Sequence, residues 1–475
     1  VSSIIMTSKK LKVVRLVNTE CTAGAAILGS SLFQNSSVVY WDLSGNMLED
    51  MSQFMIGLSK VTNQILSLKF ERCAMNSQSL SLLLSAISNN TFFYGLRQLC
   101  LAGNRMDEKV CNEFANLLEK FQNINQKHIS SISLGPVDSI SLIVHSINIC
   151  DQPISKLKFY AVTFDKSSVD ELCLFLYRTY TLTDLEFECC SFMDGTSLLQ
   201  KILKSLSENN RISEFNLGLN HMRLIDDYFN VFIASLKGGL GKKLISLSLD
   251  KNRFSVDELK SFVENLSYLP KLENLSLAGN FNRNEEIGYL LTLLLDKTNL
   301  KYLNLNGLNV TSLESEILKI IKKIATNKTI TRLDISSNNV GNEIIPELTE
   351  MLKLNQTINV VKFDSNKITD LNLLNEYITF VSDHKSLVTP SLPLKDATEI
   401  LKDKEEEVIE SFGMHYFNSQ KQLICNSINA GIHSELTYIN DPILDLILDK
   451  TTADLQSVLS KTNTNVHLSV SSING

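Results

Sequence analysis

A glycine- and lysine-rich stretch, Lys237-Gly238-Gly239-Leu240-Gly241-Lys242-Lys243, is the part of the sequence that most suggests chemistry. Loops of this composition can cradle phosphate groups with their backbone amides and a lysine. The spacing from the first glycine is too short, however, and Lys243 stands where a Ser or Thr would hold Mg²⁺. The stretch also precedes a predicted strand instead of following one. We therefore expect a helix C-terminus and a turn, in which glycine supplies positive φ angles.

Cysteine and histidine side chains could bind a metal or serve in redox and nucleophilic catalysis. The nine cysteines contain no CxxC pair, and the adjacent Cys189 and Cys190 are interpreted as structural. The seven histidines show no HExxH motif and no zinc-ligand spacing. No Ser/His/Asp grouping can be assembled from the sequence. We therefore predict no catalytic residue, no metal site and no cofactor, and a protein that is not an enzyme. Unpaired thiols are typical of a reducing compartment.

The strongest pattern in the chain is an LxxLxLxxN frame, which reads LRQLCLAGN from Leu96 and LENLSLAGN from Leu272. It returns about every 28 residues, a period typical of leucine-rich-repeat solenoids. We place about 13 repeats, with frame starts at Leu11, Val38, Ile65, Leu96, Ile129, Ile154, Leu182, Ile212, Leu244, Leu272, Leu300, Ile330 and Ile358.

Each frame predicts a short strand, because apolar and polar residues alternate within it. The final Asn, or Cys at positions 73 and 190, can bond backbone groups of the buried turn that follows. Helical patterns come next, for example from Val256 and from Glu316. The predicted fold is therefore α/β: a horseshoe with a strand and a helix per repeat and a C-terminal helical cap. A period near 28 residues favours the intracellular form of this repeat.

The second, fourth and sixth positions after each frame start should point outward on the concave face. Two predicted strands carry opposite charges there, and these charges suggest a docking surface for a basic partner segment with Tyr160 as an anchor. A plain solvated sheet face is the alternative interpretation. The candidate protein-binding residues are Lys156, Lys158, Tyr160, Asp184, Glu186, Glu188, Glu214 and Asp250.

The repeats end after Asn366, and the predicted domains follow from this boundary. We expect an N-terminal cap or a continuation of the repeats over 1–37 and the solenoid over 38–390. A C-terminal helical cap is expected over 391–420 and a helical extension, with a dimerisation role, over 421–475. Asp396 is predicted to cap the first helix of this region, and further helices are predicted over 441–448 and 455–459.

The end of the solenoid also carries a family resemblance. MLKLNQTINVVKFDSNKIT from Met351, followed by Pro393-Leu394 and the Asp396–Glu407 helix, resembles the last repeats and cap of the CARMIL family, the capping protein and myosin-I linkers. The repeats alone are also similar to those of tropomodulin, which has fewer of them. The resemblance implies a cytoplasmic scaffold of the cell cortex and the actin cytoskeleton. In that family a membrane-binding domain precedes the repeats, and a disordered tail beyond the dimerisation region binds capping protein.

The expected partners are proteins, including a second copy bound through the tail. Capping protein and membranes would be contacted only through regions outside this chain. The net charge of −7 argues against nucleic-acid binding. The chain begins VSSIIMTSKK, and we expect a piece of a longer soluble protein. Two alternatives share the repeat: a Ran-type GTPase activator, and the ligand-sensing domain of an intracellular receptor.

Overall fold

The structure is a computed structural model that describes residues 5, 7–19, 37–48, 52–123, 129–150, 153–384, 387 and 392–429. These residues form two compact units, which divide between Leu198 and Leu199. The helices predicted over 441–448 and 455–459 lie outside the described residues.

Parallel strands in chain order form the main sheet of the first unit. They are β1 (Val13–Arg15), β2 (Tyr40–Asp42), β3 (Ser67–Lys69), β4 (Gln98–Cys100), β5 (Ser131–Leu134), β6 (Lys156–Tyr160) and β8 (Asp184–Glu188). A pair of short strands, β7 (Thr163–Phe164) and β9 (Ser191–Phe192), forms a second parallel sheet. The helices between the strands are α1 (Ser52–Ser59), α2 (Ser77–Asn89), α3 (Glu108–Asn123), α4 (Ile140–Ile149) and α5 (Lys166–Arg178).

The second unit repeats the same arrangement, after a helix α6 (Thr196–Glu208) that begins just before the division. Its parallel strands are β10 (Phe215–Asn220), β11 (Leu244–Ser248), β12 (Asn274–Ser276), β13 (Tyr302–Asn304), β14 (Arg332–Asp334) and β15 (Val360–Lys362). Its helices are α7 (Asp226–Lys237), α8 (Val256–Glu264), α9 (Glu285–Lys297), α10 (Glu316–Ile324), α11 (Ile344–Leu354), α12 (Leu371–Asp383), α13 (Leu394–Leu401) and α14 (Glu406–Asn429).

The frame residues explain why each repeat folds as a strand followed by a helix. The leucines at the third and fifth positions, such as Leu275 and Leu277, are buried between the sheet and the helices. Helix starts carry the expected signals: Ser255 and Glu258 form a reciprocal capping box at α8. The helices predicted from Val256 and Glu316 begin at those residues. The prediction of a leucine-rich-repeat solenoid is confirmed.

Buried frame asparagines join the turns of neighbouring repeats into what we call the asparagine ladder. The side-chain oxygen of Asn280 accepts hydrogen bonds from the amides of Asn252 and Arg253, both at 2.9 Å. Its amide group donates to the carbonyls of Leu249 and Leu277, at 2.9 and 2.8 Å. The same pattern holds at Asn104, Asn252 and Asn366. One side chain thus satisfies the turn backbone of two repeats.

Asp396 ends this ladder, which corrects the prediction that it caps its own helix. Pro393 precedes α13, and Asp396 lies within the first turn. Its Oδ2 accepts from the amide of Asn366 at 2.8 Å and its Oδ1 from that of Lys367 at 3.0 Å, whereas a ladder asparagine serves the two corresponding amides with one oxygen. Burial raises the pKa of Asp396, against the opposing effect of these hydrogen bonds. A single cap helix was predicted, but the structure has two, because the helical conformation is interrupted between Leu401 and Glu406.

The ladder predicts graded losses for two substitutions of Asp396. Asp396→Ala leaves two backbone amides of the last turn without an acceptor and should lower the free energy of unfolding by about 1–3 kcal/mol. Asp396→Asn keeps only one of the two accepting oxygens, so it should lower the free energy of unfolding by about half as much. Urea unfolding followed by circular dichroism measures both. Equal losses for the two variants would contradict the role assigned to Asp396.

Candidate protein-binding face

Strands β6 and β8 place the predicted charged residues on the side of the sheet opposite the core. Leu157 and Phe159 of β6 are buried, and so are Leu185 and Phe187 of β8. The rings of Phe159 and Phe187 stack with their centroids 5.6 Å apart, which fixes the two strands against each other. The alternation then directs the intervening polar side chains outward, and these are only partly buried: Lys156, Lys158, Tyr160, Asp184, Glu186 and Glu188.

The parallel register sets basic side chains directly against acidic ones. Lys156 is paired with Asp184 and Lys158 with Glu186. The Nζ atom of Lys158 lies 3.2 Å from Glu186 Oε1 and 2.8 Å from Glu188 Oε2. The Nζ atom of Lys156 lies 3.8 Å from Asp184 Oδ2. The basic strip and the acidic patch expected from the sequence are therefore interleaved, and each charge faces an opposite one.

Arg72, which sequence reasoning missed, extends this arrangement from the turn after β3. Its guanidinium carbon lies 5.0 Å from the centroid of the Tyr160 ring, a cation–π contact, and its Nη2 lies 2.5 Å from Glu188 Oε1. The neighbouring Glu71 accepts a hydrogen bond from the hydroxyl of Ser133 at 2.6 Å. We call the whole set the β6–β8 charge network: Glu71, Arg72, Lys156, Lys158, Tyr160, Asp184, Glu186 and Glu188.

A glycine makes room for Arg72 beside the turn after β4. Gly103 has φ +81°, and a Cβ atom built there would lie 2.5 Å from Arg72 Cγ and 2.9 Å from its Cα. Any larger residue would therefore displace the arginine. The sequence does place Arg72 in a turn, because it occupies the frame position that Gly103 occupies in the next repeat. It does not predict the contact with Tyr160 and Glu188, which are more than 80 residues away.

The electrostatics of the network follow from this packing. Burial acts to lower the pKa of Lys158, but the carboxylates of Glu186, Glu188 and Glu71 outweigh it, and the pKa lies above its usual value. Lys158 is therefore fully charged at neutral pH. With three basic and four acidic groups, the network carries a formal charge of −1. It is a patterned polar surface with an aromatic ring, and it is not a uniformly charged patch.

Two predicted site residues, Glu214 and Asp250, lie in the second unit. A β-bulge between Phe215 and Asn216 shifts the register, so that Leu217 and not Phe215 pairs with Leu247. The frame of this repeat thus begins two residues later than predicted. Glu214 consequently precedes the strand, where it is exposed and pairs with Lys271 at 2.8 Å.

Asp250 supports the backbone of the next turn. Its Oδ1 accepts hydrogen bonds from the Ser276 hydroxyl at 2.5 Å and from the Ala278 amide at 2.8 Å. Its own amide donates to the side-chain oxygen of Asn220 at 2.8 Å. The carboxylate thus binds a hydroxyl and a backbone amide of the next repeat, whereas the carboxylates of Asp184, Glu186 and Glu188 pair with basic side chains.

The glycine- and lysine-rich stretch has the structural role expected of it. Helix α7 ends at Lys237, Gly239 adopts φ +112°, and a 3₁₀ turn spans Leu240–Lys243. The ammonium of Lys243 donates to three carbonyls at the end of α6, those of Leu206, Ser207 and Asn209, at 2.7–2.8 Å. It therefore caps a helix C-terminus, where a positive charge is stabilising.

Cys190 is buried, and its thiol contacts the backbone. The Sγ of Cys190 lies 3.4 Å from the carbonyl of Phe159, and burial raises the pKa of this thiol to about 12, so it stays protonated. Among the described residues, no three side chains of the His, Cys, Asp and Glu types converge on a metal-binding geometry. No helix in the same part of the chain is long and apolar enough to cross a membrane.

The repeats and the outward-facing charge network define a leucine-rich-repeat protein. No protein-family model matches the chain. The Rho GTPase-activating protein gacW of Dictyostelium discoideum is 22% identical over 371 residues, which cover 76% of this chain and 30% of that protein. Protein CARMIL of the same organism is 23% identical over 359 residues, which cover 72% of this chain and 33% of that protein. The chain thus spans about a third of the length of these curated relatives.

Two solved structures are also similar. The leucine-rich repeat-containing protein LegL7 from Legionella pneumophila has a TM-score of 0.39 and 15% identity, and the match covers 77% of this chain and 99% of that one. A chain of the Rad7 and Elc1 complex in yeast has a TM-score of 0.41 and 14% identity, with 82% of each chain covered.

Lys243 offers a test of the structural role of the glycine-rich stretch. Lys243→Met removes the donor from three helix-end carbonyls and should lower the free energy of unfolding by about 1–3 kcal/mol. Lys242→Met, at the exposed neighbouring position, is the matched control and should change it by less than about 0.5 kcal/mol. A large loss for the control, or none for Lys243→Met, would contradict the capping role.

The Arg72 contact predicts a measurable coupling energy. In a double-mutant cycle of Arg72→Met and Glu188→Gln, followed by urea unfolding, the two effects should couple by about 0.5–1 kcal/mol, because Arg72 is mostly exposed. The coupling should shrink as salt is raised. Arg105→Met with Asp138→Asn, a more exposed pair at 3.2 Å, is the comparison and should couple less. Additive effects for Arg72 and Glu188 would rule out the network as an energetic unit.

Proposed function

We propose that this chain is a non-enzymatic protein-binding scaffold of the actin cortex, and that the β6–β8 charge network docks a protein partner. The observation that carries the proposal is Tyr160 at the end of β6, whose ring is in contact with the guanidinium of Arg72. Tyrosine and arginine supply much of the binding energy in protein interfaces. The alternating charges around the ring favour a partner with a matching pattern, since mismatched charges would be desolvated without compensation.

The cortical assignment rests on the resemblance of the last repeats and cap to CARMIL and on the likeness to Protein CARMIL over 359 residues. On this proposal the chain is a cytoplasmic scaffold at the cell cortex. Capping protein and the membrane would be bound by parts of the protein outside this chain. A homodimer would form through the tail after about residue 395, as the predicted dimerisation extension implies.

GTPase activation is the second candidate, because gacW carries that activity in its name. An activator stabilises the transition state of GTP hydrolysis by presenting an arginine to the phosphates. Arg72 is the arginine at the centre of the network, and it is already engaged by Tyr160 and Glu188. This engagement favours the scaffold over the activator.

A charge swap tests the docking role separately from stability. Lys156→Asp combined with Asp184→Lys keeps an ion pair across the same register but inverts the pattern on the outer face. We expect the melting temperature to change by only about 2–4 °C, while enrichment of the full-length protein at the cell cortex falls. Full enrichment with a stable double variant would rule out the network as the docking site.

Two binding and activity measurements test the scaffold itself. The full-length protein should co-sediment with capping protein, and absence of association would contradict the cortical assignment.

Adding the purified chain to Rho-type and Ran-type GTPases should leave their rates of GTP hydrolysis unchanged. An arginine-dependent activator accelerates hydrolysis by about 10³–10⁵-fold, so even a small fraction of that effect would establish the alternative.

A further inference from the structure

Apolar side chains are exposed on the outer faces of two neighbouring helices of the first unit. Ile149 at the end of α4 is 57% exposed, and Leu174 and Tyr177 of α5 are 38% and 58% exposed. Met193, in the connection after β9, is 71% exposed. The outer face of a surface helix is ordinarily polar. A concentration of exposed apolar groups marks an interaction site.

Leu174 and Met193 line two adjoining shallow depressions, of about 440 and 710 Å³, which share Ser167 and Asp170 of α5. The first reaches Met193 and Asp194, and the second reaches Leu142 and His145 of α4. We call the pair the α4–α5 groove. Glu171 of α5 connects the two helices, because it lies 3.1 Å from His145 Nδ1 and accepts a hydrogen bond from Asn148 at 2.9 Å.

The charges around the groove are mostly acidic. Asp165, Asp170, Glu171 and Asp194 line it, against Lys166. Hydrogen bonds from Ser168 lower the pKa of Asp165, so this carboxylate remains ionised. The formal charge of the lining is −3, with histidine counted as neutral. Such a rim attracts cationic segments and repels anionic membranes.

We propose that the α4–α5 groove docks a basic amphipathic helix of another protein. Apolar residues at i, i+3 and i+4 of that helix would cover Leu142, Leu174 and Met193, and its lysines or arginines would face Asp170 and Asp194. A helix suits the site because most of the lining residues belong to helices α4 and α5.

Charge argues against the undescribed segments of this sequence as the occupant. The two longest segments outside the described residues are poor sources of a basic helix. Residues 20–36 contain no lysine or arginine, and residues 430–475 contain five acidic residues and two lysines. The network of the proposed function faces away from the helices, so the groove is a second surface and does not depend on that proposal.

The test uses the whole chain and a fluorescein-labelled model helix of leucines at helical spacing with lysines elsewhere; a version with glutamates in place of lysines is its control. We expect the basic peptide to bind more tightly than the acidic one in fluorescence anisotropy. Leu174→Ser with Met193→Ser should weaken its binding at least about tenfold, and so should Asp170→Asn with Asp194→Asn. Bound peptide should protect 140–149 and 166–178 from amide exchange.

Matched variants outside the groove keep the result specific. Leu354→Ser on α11, where the side chain is 68% exposed, and Asp227→Asn with Asp257→Asn, at exposed helix starts, should leave binding unchanged. Equal losses for groove and control variants, or binding that none of them alters, would overturn the proposal. It would also be overturned if the basic peptide failed to bind while light scattering showed self-association that Leu174→Ser with Met193→Ser abolishes.

Discussion

The buried backbone of the turns is the constraint on which the whole structure depends. Each strand ends in a turn whose amides and carbonyls are shielded from water, and an unsatisfied buried backbone group costs about 1–3 kcal/mol. A frame asparagine such as Asn280 supplies two donors and an acceptor that serves two amides. Because each of these asparagines reaches into the preceding repeat, neighbouring repeats that carry them satisfy their turns jointly. The stability of each repeat therefore depends on its contacts with the neighbouring repeats, as in other repeat proteins.

Structural features that depend on the local sequence pattern could be predicted from the sequence. The alternation within each frame predicted the strands, and the starts of α8 and α10 were predicted to the residue. Cys73 and Cys190 occupy the asparagine position, as expected, and each donates to the carbonyl at the end of the previous strand. These features depend on residues that are close in sequence or one repeat apart.

The errors arose where a non-local event changes the local pattern. The bulge before Asn216 moves Glu214 out of the strand, and both register choices fit the same apolar residues. Asp396 resembled a helix cap because a short acidic side chain near a helix start usually serves that role. Its actual partners, the amides of Asn366 and Lys367, are about 30 residues away. Arg72 was missed because its contacts depend on how several repeats stack.

The ladder also explains how one fold can present the two surfaces proposed as binding sites. Asparagine and leucine positions carry the core, so most outward positions of the strands and of the helices can vary more freely, although some of them, such as Asp250, support a turn. The β6–β8 charge network uses the strand positions, and the α4–α5 groove uses the helix positions of the same repeats. No residue belongs to both. We therefore expect a substitution at one surface to leave the contacts of the other surface intact.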